Sequence, residues 1–166
     1  MLKIKQLITF LILSNLLTLA FVCYSYVQHN IQQELYFLDE IQAPLAQLQA
    51  TINYQKENKW GNPELVSYQA STVQNAIEQV LDESHFAHSK LTKQEQTNLF
   101  QIKKALQKLP QNTEYKIVKW KIEDQRKAIA FEMVLNKAKL SNDITNHVDY
   151  KGFMKQCQIV ANELKE

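Results

Sequence analysis

Residues 7–27, LITFLILSNLLTLAFVCYSYV, decide the architecture of this chain, because they form a run of 21 positions without a charge. At about 1.5 Å per residue, a helix of this length reaches about 31 Å, close to the roughly 30 Å hydrocarbon thickness of a bilayer. A helix also satisfies its own backbone hydrogen bonds, as lipid requires. The sequence therefore predicts one transmembrane helix over 7–27, preceded by a short tail over 1–6.

The charges on either side of this segment predict its direction. Lys3 and Lys5 precede it, whereas the first charged residue after it is Glu34, and no lysine or arginine follows until Lys56. Positively charged flanks remain in the cytoplasm. We therefore expect a cytoplasmic tail, a single pass through the cell membrane, and the bulk of the chain on the extracytoplasmic side.

Two alternatives compete with a retained membrane anchor. Thr18-Leu19-Ala20 has the small-x-small pattern of a signal-peptidase site, and cleavage there would make the chain secreted. The apolar run continues beyond this site without a break, which favours retention. Cys23 follows an apolar run, as a lipidated cysteine does, but Val22 stands where a small residue is expected. We therefore predict no lipidation.

A group of polar residues, Ser14, Asn15 and Thr18, lies near the middle of the span. A polar group in lipid gains about 1 kcal/mol by pairing with a neighbouring helix. These residues form a candidate helix-association site, for a second copy of the chain or for a membrane partner. The alternative is that one asparagine is simply tolerated in an otherwise apolar span.

Residues 28–58 carry an apolar stripe that predicts a helical stalk. Apolar residues recur every seven positions with others beside them, as in coiled coils. The candidate stalk interface consists of Ile31, Leu35, Leu38, Leu45, Leu48 and Ile52. Pro44 predicts a kink or a break near Gln42 and Ala43. The stripe suits either a stalk that dimerises or one helix of an intramolecular bundle, and we favour the bundle because further helices follow.

The rest of the chain, 59–166, predicts an extracytoplasmic α+β domain on an otherwise mainly α protein. Two amphipathic helices are expected to form a helical hairpin, and the second begins with a capping box in which Thr92 is the cap and Glu95 reaches back. From Tyr115 to Leu135 apolar and polar residues alternate, which predicts a small β-hairpin. A helix through Gln125–Lys139 is the alternative. The final element is a C-terminal helix over about Asp149–Glu163.

Few residues in the chain suggest chemistry. With only two glycines, phosphate-binding loops are disfavoured, and no serine stands in the glycine-flanked turn of a hydrolase. His85 and His88 lie three apart beside Asp82, a weak metal pattern that is more typical of a solvated helix end. We therefore predict no enzyme, no cofactor and no metal. Trp60, beside a Gly-Asn-Pro turn, is a candidate partner anchor, whereas Trp120 is expected in the core.

The charge distribution and the cysteines indicate which classes of partner and which thiol chemistry to expect. Residues 27–100 carry four lysines against nine acids, and residues 101–166 carry thirteen basic residues against eight acids. The first half is therefore acidic and the second half is basic by the same amount. We expect no nucleic acid, because the chain is predicted to lie outside the cytoplasm and its C-terminal lysines are spread rather than clustered with aromatic residues. We infer no small-molecule ligand. Cys157 falls on the apolar side of its predicted helix and is expected to be a buried, unreactive thiol.

The order of these parts predicts a non-catalytic component of the bacterial cell envelope that mediates protein–protein interaction or assembly. It resembles the layout of the bitopic alignment proteins of type IV pilus and type II secretion machines, through the strand-then-helix pattern of Ile129–Leu135 and Tyr150–Leu164. That resemblance implies an alignment role. The chain is also similar in outline to the helical sensor bundles of chemoreceptors, which implies a sensory or regulatory ectodomain that signals through a partner membrane protein.

Overall fold

A computed structural model describes residues 2–82, 91–111, 119–140 and 149–165. The chain divides into two compact units, of which one ends at Leu35 and the other begins at Tyr36. All regular secondary structure in the described ranges is helical. The α-helices are α1 (Leu2–Tyr36), α2 (Ala43–Glu57), α3 (Glu64–Leu81), α4 (Lys93–Leu106), α5 (Ile122–Lys137) and α6 (Tyr150–Glu163), and a π-helical segment, Phe37–Gln42, lies between α1 and α2.

The first unit consists of α1 up to Leu35. One helix in the described part of the chain, which begins at Ile8 and continues to Glu57, contains an 18-residue window that is apolar enough to cross a membrane. None of that window is buried by the rest of the protein. A core helix of a soluble protein would be mostly buried. The predicted apolar N-terminal helix is therefore confirmed as a candidate membrane span.

The helix type changes just before Pro44. In the π segment, the Ala43 N–H donates to the Leu38 carbonyl, five residues back. A proline ring crowds the carbonyl four residues earlier in an α-helix, and a wider turn at this point relieves that crowding. The change lies next to the break that the proline predicts. It also brings Phe37 and Ile41 into the core.

Five helices of the second unit form a closed ring. Helix α2 packs against α3, α3 against α4, α4 against α6, α6 against α5, and α5 against α2. The two helices expected to form a helical hairpin, α3 and α4, are thus direct neighbours. Large apolar side chains that are completely or almost completely buried fill the interior: Ile41, Leu45, Leu48, Ile52, Ile77, Leu99, Ile102, Leu106, Leu135, Leu140 and Phe153.

Local sequence signals set the starts of two ring helices. The capping box at α4 is confirmed, because the Glu95 N–H donates to Thr92 Oγ1 at 3.2 Å and the Thr92 N–H donates to Glu95 Oε2 at 2.8 Å. Helix α6 begins behind Asp149, whose Oδ1 accepts the Gly152 N–H at 2.8 Å. Each cap satisfies backbone donors that the first helical turn leaves unpaired.

The predicted β-hairpin, and with it the α+β class, is wrong. Residues 122–137 form α5, residues 115–118 lie outside the described ranges, and residues 119–121 form no strand. The alternation hid a helical spacing, since Ala128, Phe131 and Leu135 recur at i, i+3 and i+7 and face the core. Met133, which alternation would bury, is 64% exposed. The mainly α prediction stands, and the alternative helix is the structure that forms.

Candidate association surfaces

No group of three or more His, Cys, Asp or Glu side chains is placed to share a metal ion in the described ranges. The predicted weak metal pattern at His85 and His88 lies outside those ranges. Some buried polar side chains join helices, whereas Asn98 bonds to Gln94 within α4. The buried Gln55 accepts the Asn62 N–H through Oε1, and its Nε2 has no hydrogen-bond partner in the described part of the chain.

Glu132 is a buried carboxylate at the contact between α2 and α5. Its side chain is 2% exposed, and Oε2 lies 3.3 Å from Nζ of Lys56 on α2. The Asn136 amide donates to its other oxygen, and Gln49 on α2 donates to Asn136. Because a buried charge is costly unless it is paired and hydrogen-bonded, this polar bridge fixes how α5 sits on α2.

Trp60, the predicted partner anchor, stacks on Trp120 with ring centroids 5.5 Å apart and planes 28° from parallel. Trp120 Nε1 donates to Oγ of the buried Ser67 at 3.0 Å. Trp60 itself has a φ of 60°, and its N–H donates to the Gln55 carbonyl at 2.7 Å. Both rings are half-buried. A partner would therefore contact only the part of the Trp60 ring that Trp120 leaves uncovered.

The polar residues of the candidate span are not equivalent. Thr18 Oγ1 donates to the Ser14 carbonyl at 2.9 Å, so this hydroxyl donor is satisfied within its own helix. The Asn15 amide and the Ser14 hydroxyl make no side-chain hydrogen bond within the described part of the chain, and the amide has more donor and acceptor sites to satisfy. Asn15 is also exposed. Of the predicted helix-association residues, Asn15 therefore carries the strongest requirement for an outside partner in lipid.

Part of the predicted stalk interface is buried in the ring of helices, and part of it is exposed. Leu45, Leu48 and Ile52 are completely buried within the ring of helices. Leu38 is partly buried against the same core. The N-terminal members of the stripe, Ile31 and Leu35, remain 45% and 51% exposed. Within the stripe, only this pair, which we call the Leu35 face, leaves an open apolar surface.

A second apolar surface is an open groove between α2 and α3, with a volume of about 380 Å³. The residues that line it are Ala50, Thr51, Tyr54, Leu65, Tyr68 and Gln69. Tyr54, Leu65 and Tyr68 are 55%, 46% and 67% exposed. This groove is not predictable from the spacing of residues within either helix. Both tyrosines lie outside the buried apolar stripe of their helices, which predicts that they are exposed. The sequence does not show that α2 and α3 are neighbours, so it does not predict that the two tyrosines line one groove.

Burial alters the acid–base behaviour of two side chains in the second unit. Burial, aided by the negative charge of Glu40, raises the pKa of the Tyr36 phenol, whose hydroxyl donates to Gln79 Oε1 at 2.9 Å. Burial, with the charge of Glu95 as the second cause, raises the pKa of the Cys157 thiol far above its usual range. The predicted burial of Cys157 is confirmed. Burial and a raised pKa both disfavour the thiolate, which is the reactive form of a cysteine.

Comparison of the chain with protein-family models, with curated proteins and with solved structures gave no match.

Proposed function

We propose that this chain is a non-catalytic, single-pass membrane protein of the bacterial cell envelope, whose extracytoplasmic helical domain mediates protein–protein interaction or assembly. One observation carries the proposal: all residues of 8–27 are exposed, whereas the second unit fills its own core with its own helices. An apolar helix with no protein cover is stable in a bilayer, where lipid replaces that cover.

The direction of insertion in this proposal rests on charge. Lys3 and Lys5 lie before the span and Glu34 lies after it. Under the positive-inside rule, the tail is cytoplasmic and the ring of helices lies outside the cytoplasm. The bilayer is then one partner of the chain, and the exposed apolar surfaces beyond the span are the places for a protein partner or a second copy.

Interaction rather than catalysis is supported by where apolar and polar groups are placed. The Leu35 face and the Tyr54–Leu65–Tyr68 groove leave apolar side chains open to solvent. Association with a partner would remove these apolar side chains from water, which is favourable. The buried carboxylate of Glu132, by contrast, is engaged by Lys56 and Asn136 and is not presented to a substrate.

Cysteine labelling in intact cells tests both membrane insertion and direction. In a Cys23→Ser background, we expect Gln47→Cys, on an exposed position of α2, to react with a membrane-impermeant maleimide. We expect Lys3→Cys to react only after permeabilisation, and the protein to resist extraction at alkaline pH. The buried Cys157 serves as an internal unreactive control.

Three results would contradict the proposal. An intact mass that places the mature N-terminus at Phe21 would make the chain a secreted protein. Extraction at alkaline pH would exclude an integral span. Labelling of Lys3→Cys but not Gln47→Cys in intact cells would reverse the direction of insertion.

A sensory or regulatory ectodomain that signals through a partner membrane protein is the second candidate. The groove between α2 and α3 favours it, because a ligand or peptide bound there would touch two neighbouring helices at once. Binding that stabilises the ring without altering co-purification of a membrane partner would count against signalling. The pilus or secretion-system alternative loses its basis, because Ile129–Leu135 lies in α5 and is not a strand.

A further inference from the structure

The exposed association groups of α1 lie on opposite sides of one helix. Successive residues of an α-helix are rotated by about 100°, which places Asn15 about 160° from both Ile31 and Leu35. All three belong to the continuous helix α1, and all three are exposed. A single partner helix lying along α1 therefore cannot contact both Asn15 and the Leu35 face.

This inference rests on the proposed function, which places Asn15 inside the membrane and the Leu35 face outside it. In that placement, neither Asn15 nor the Leu35 face suits the solvent around it. The Asn15 amide lies in lipid with its donors and acceptor unpaired, and lipid offers no substitute for water. The Leu35 face lies beyond the span, where its apolar side chains meet water. The first mismatch requires a hydrogen-bonding partner inside the membrane, and the second requires an apolar partner outside it.

The chemistry of the first group selects its occupant. A carboxamide carries a partially positive NH₂ and a partially negative oxygen on the same side chain, so it is the electrostatic complement of an identical carboxamide. A two-fold pair of parallel helices brings the same residue of each copy together and permits reciprocal hydrogen bonds. The Thr18 hydroxyl does not compete as a donor, because it is bonded to the Ser14 carbonyl.

We propose that α1 pairs with a second copy of this chain inside the membrane through the face formed by Asn15, Leu19 and Val22, with the two Asn15 amides hydrogen-bonded to each other. We call this surface the Asn15 face. Leu19 and Val22 lie within about 40° of Asn15 around the helix and supply apolar packing on either side of the amide pair. The Leu35 face points away from this contact in each copy.

Disulfide crosslinking of the full chain in membranes tests the pairing. In a Cys23→Ser background, single cysteines at Leu19 and Val22 should give dimers in several-fold higher yield than cysteines at Leu13 and Leu17, which lie about 160° from Asn15 on the same helix. Adding Asn15→Leu should lower the yield at Leu19 by about three- to tenfold, the range that interhelical hydrogen bonds in membranes support. Asn15→Gln keeps a carboxamide and should retain most of the crosslinking.

Each outcome has a separate meaning. Crosslinks that peak at Leu13 and Leu17, that are absent from all four positions, or that persist unchanged with Asn15→Leu overturn the Asn15 pairing. Alkaline extraction of the same membranes separates this result from the proposed function: a chain that is extracted was never inserted, whereas a retained chain without crosslinks is a membrane protein that does not pair through Asn15.

Discussion

Helix α1 and the ring of helices use the same kinds of apolar residue in opposite ways. Leu13 in α1 is 57% exposed, whereas Leu45 in α2 is completely buried. The apolar stripe that begins at Ile31 is exposed at its N-terminal end, in α1, and buried in the core of the ring from Leu45 onward. Spacing along a helix therefore predicts which residues share a face, but not what covers that face.

The π segment marks where the change occurs. Phe37 and Ile41 are buried there, and Phe37 also packs edge-on against Tyr150 of α6 at a centroid distance of 5.3 Å. Asp39 and Glu40 in the same segment stay exposed. The core that includes the π segment, α3 and α6 covers the stripe from this segment onward, whereas Ile31 and Leu35 before it stay exposed.

The largest expected effect is in the core. Leu45→Ala should lower the free energy of unfolding of the ring by about 3–5 kcal/mol, because it removes buried methyl groups and leaves a cavity. Urea unfolding of the full chain in mild detergent, followed by labelling of Cys157, measures this, since that thiol reacts only when the ring opens. Leu13→Ala makes the same chemical change in α1 and should leave the transition within about 0.5 kcal/mol of the wild type. Equal shifts for the two variants would refute the contrast between the regions.

The polar bridge between α2 and α5 should give an intermediate effect. Lys56→Met leaves the Glu132 carboxylate buried without its cation. Removing one partner of a fully buried pair costs about 3–5 kcal/mol, and because the Lys56 side chain is 37% exposed, solvent screening reduces the expected loss to about 1–3 kcal/mol. The same urea titration measures it.

A matched control for the bridge is Lys137→Met. Lys137 pairs with Glu163 at 2.7 Å, but the two side chains are 63% and 26% exposed, so its loss should cost less than about 1 kcal/mol. If Lys137→Met destabilises the ring as much as Lys56→Met, burial of Glu132 is not the source of the effect. Glu132→Gln combined with Lys56→Met removes the unpaired charge and should recover part of the lost stability.

Much of this architecture was predictable from short-range signals. The uncharged run predicted the candidate span, and the Thr92–Glu95 spacing predicted the start of α4, because both depend on residues within one helix. The start of α6 behind Asp149 follows for the same reason. These signals act locally, through backbone hydrogen bonds and charge, and need no knowledge of the neighbouring helices.

The failures all involve contacts between distant residues. Apolar and polar residues alternate around Phe131, which predicts a strand. The structure has a helix there, and its apolar face packs against α2 and α6. The buried Glu132 could not be predicted, because its partner Lys56 lies 76 positions away. The groove at Tyr54 and Tyr68 likewise exists only where two helices meet. The division of the apolar stripe at the π segment depends on the same long-range packing.

The smallest effect on folding is expected where the stripe is exposed. Ile31→Gln combined with Leu35→Gln should change the unfolding transition of the ring by less than about 0.5 kcal/mol, because neither side chain contributes to its core. The same variant should co-purify with less of the protein that binds the Leu35 face, as measured by crosslinking and purification from membranes. Dimers that depend on Asn15 should persist. Leu38→Ala, one heptad further along, should destabilise the ring by about 1 kcal/mol, since Leu38 is partly buried against the core. If the double variant unfolds the ring instead, the Leu35 face belongs to the fold, and the boundary between association and folding lies before Ile31.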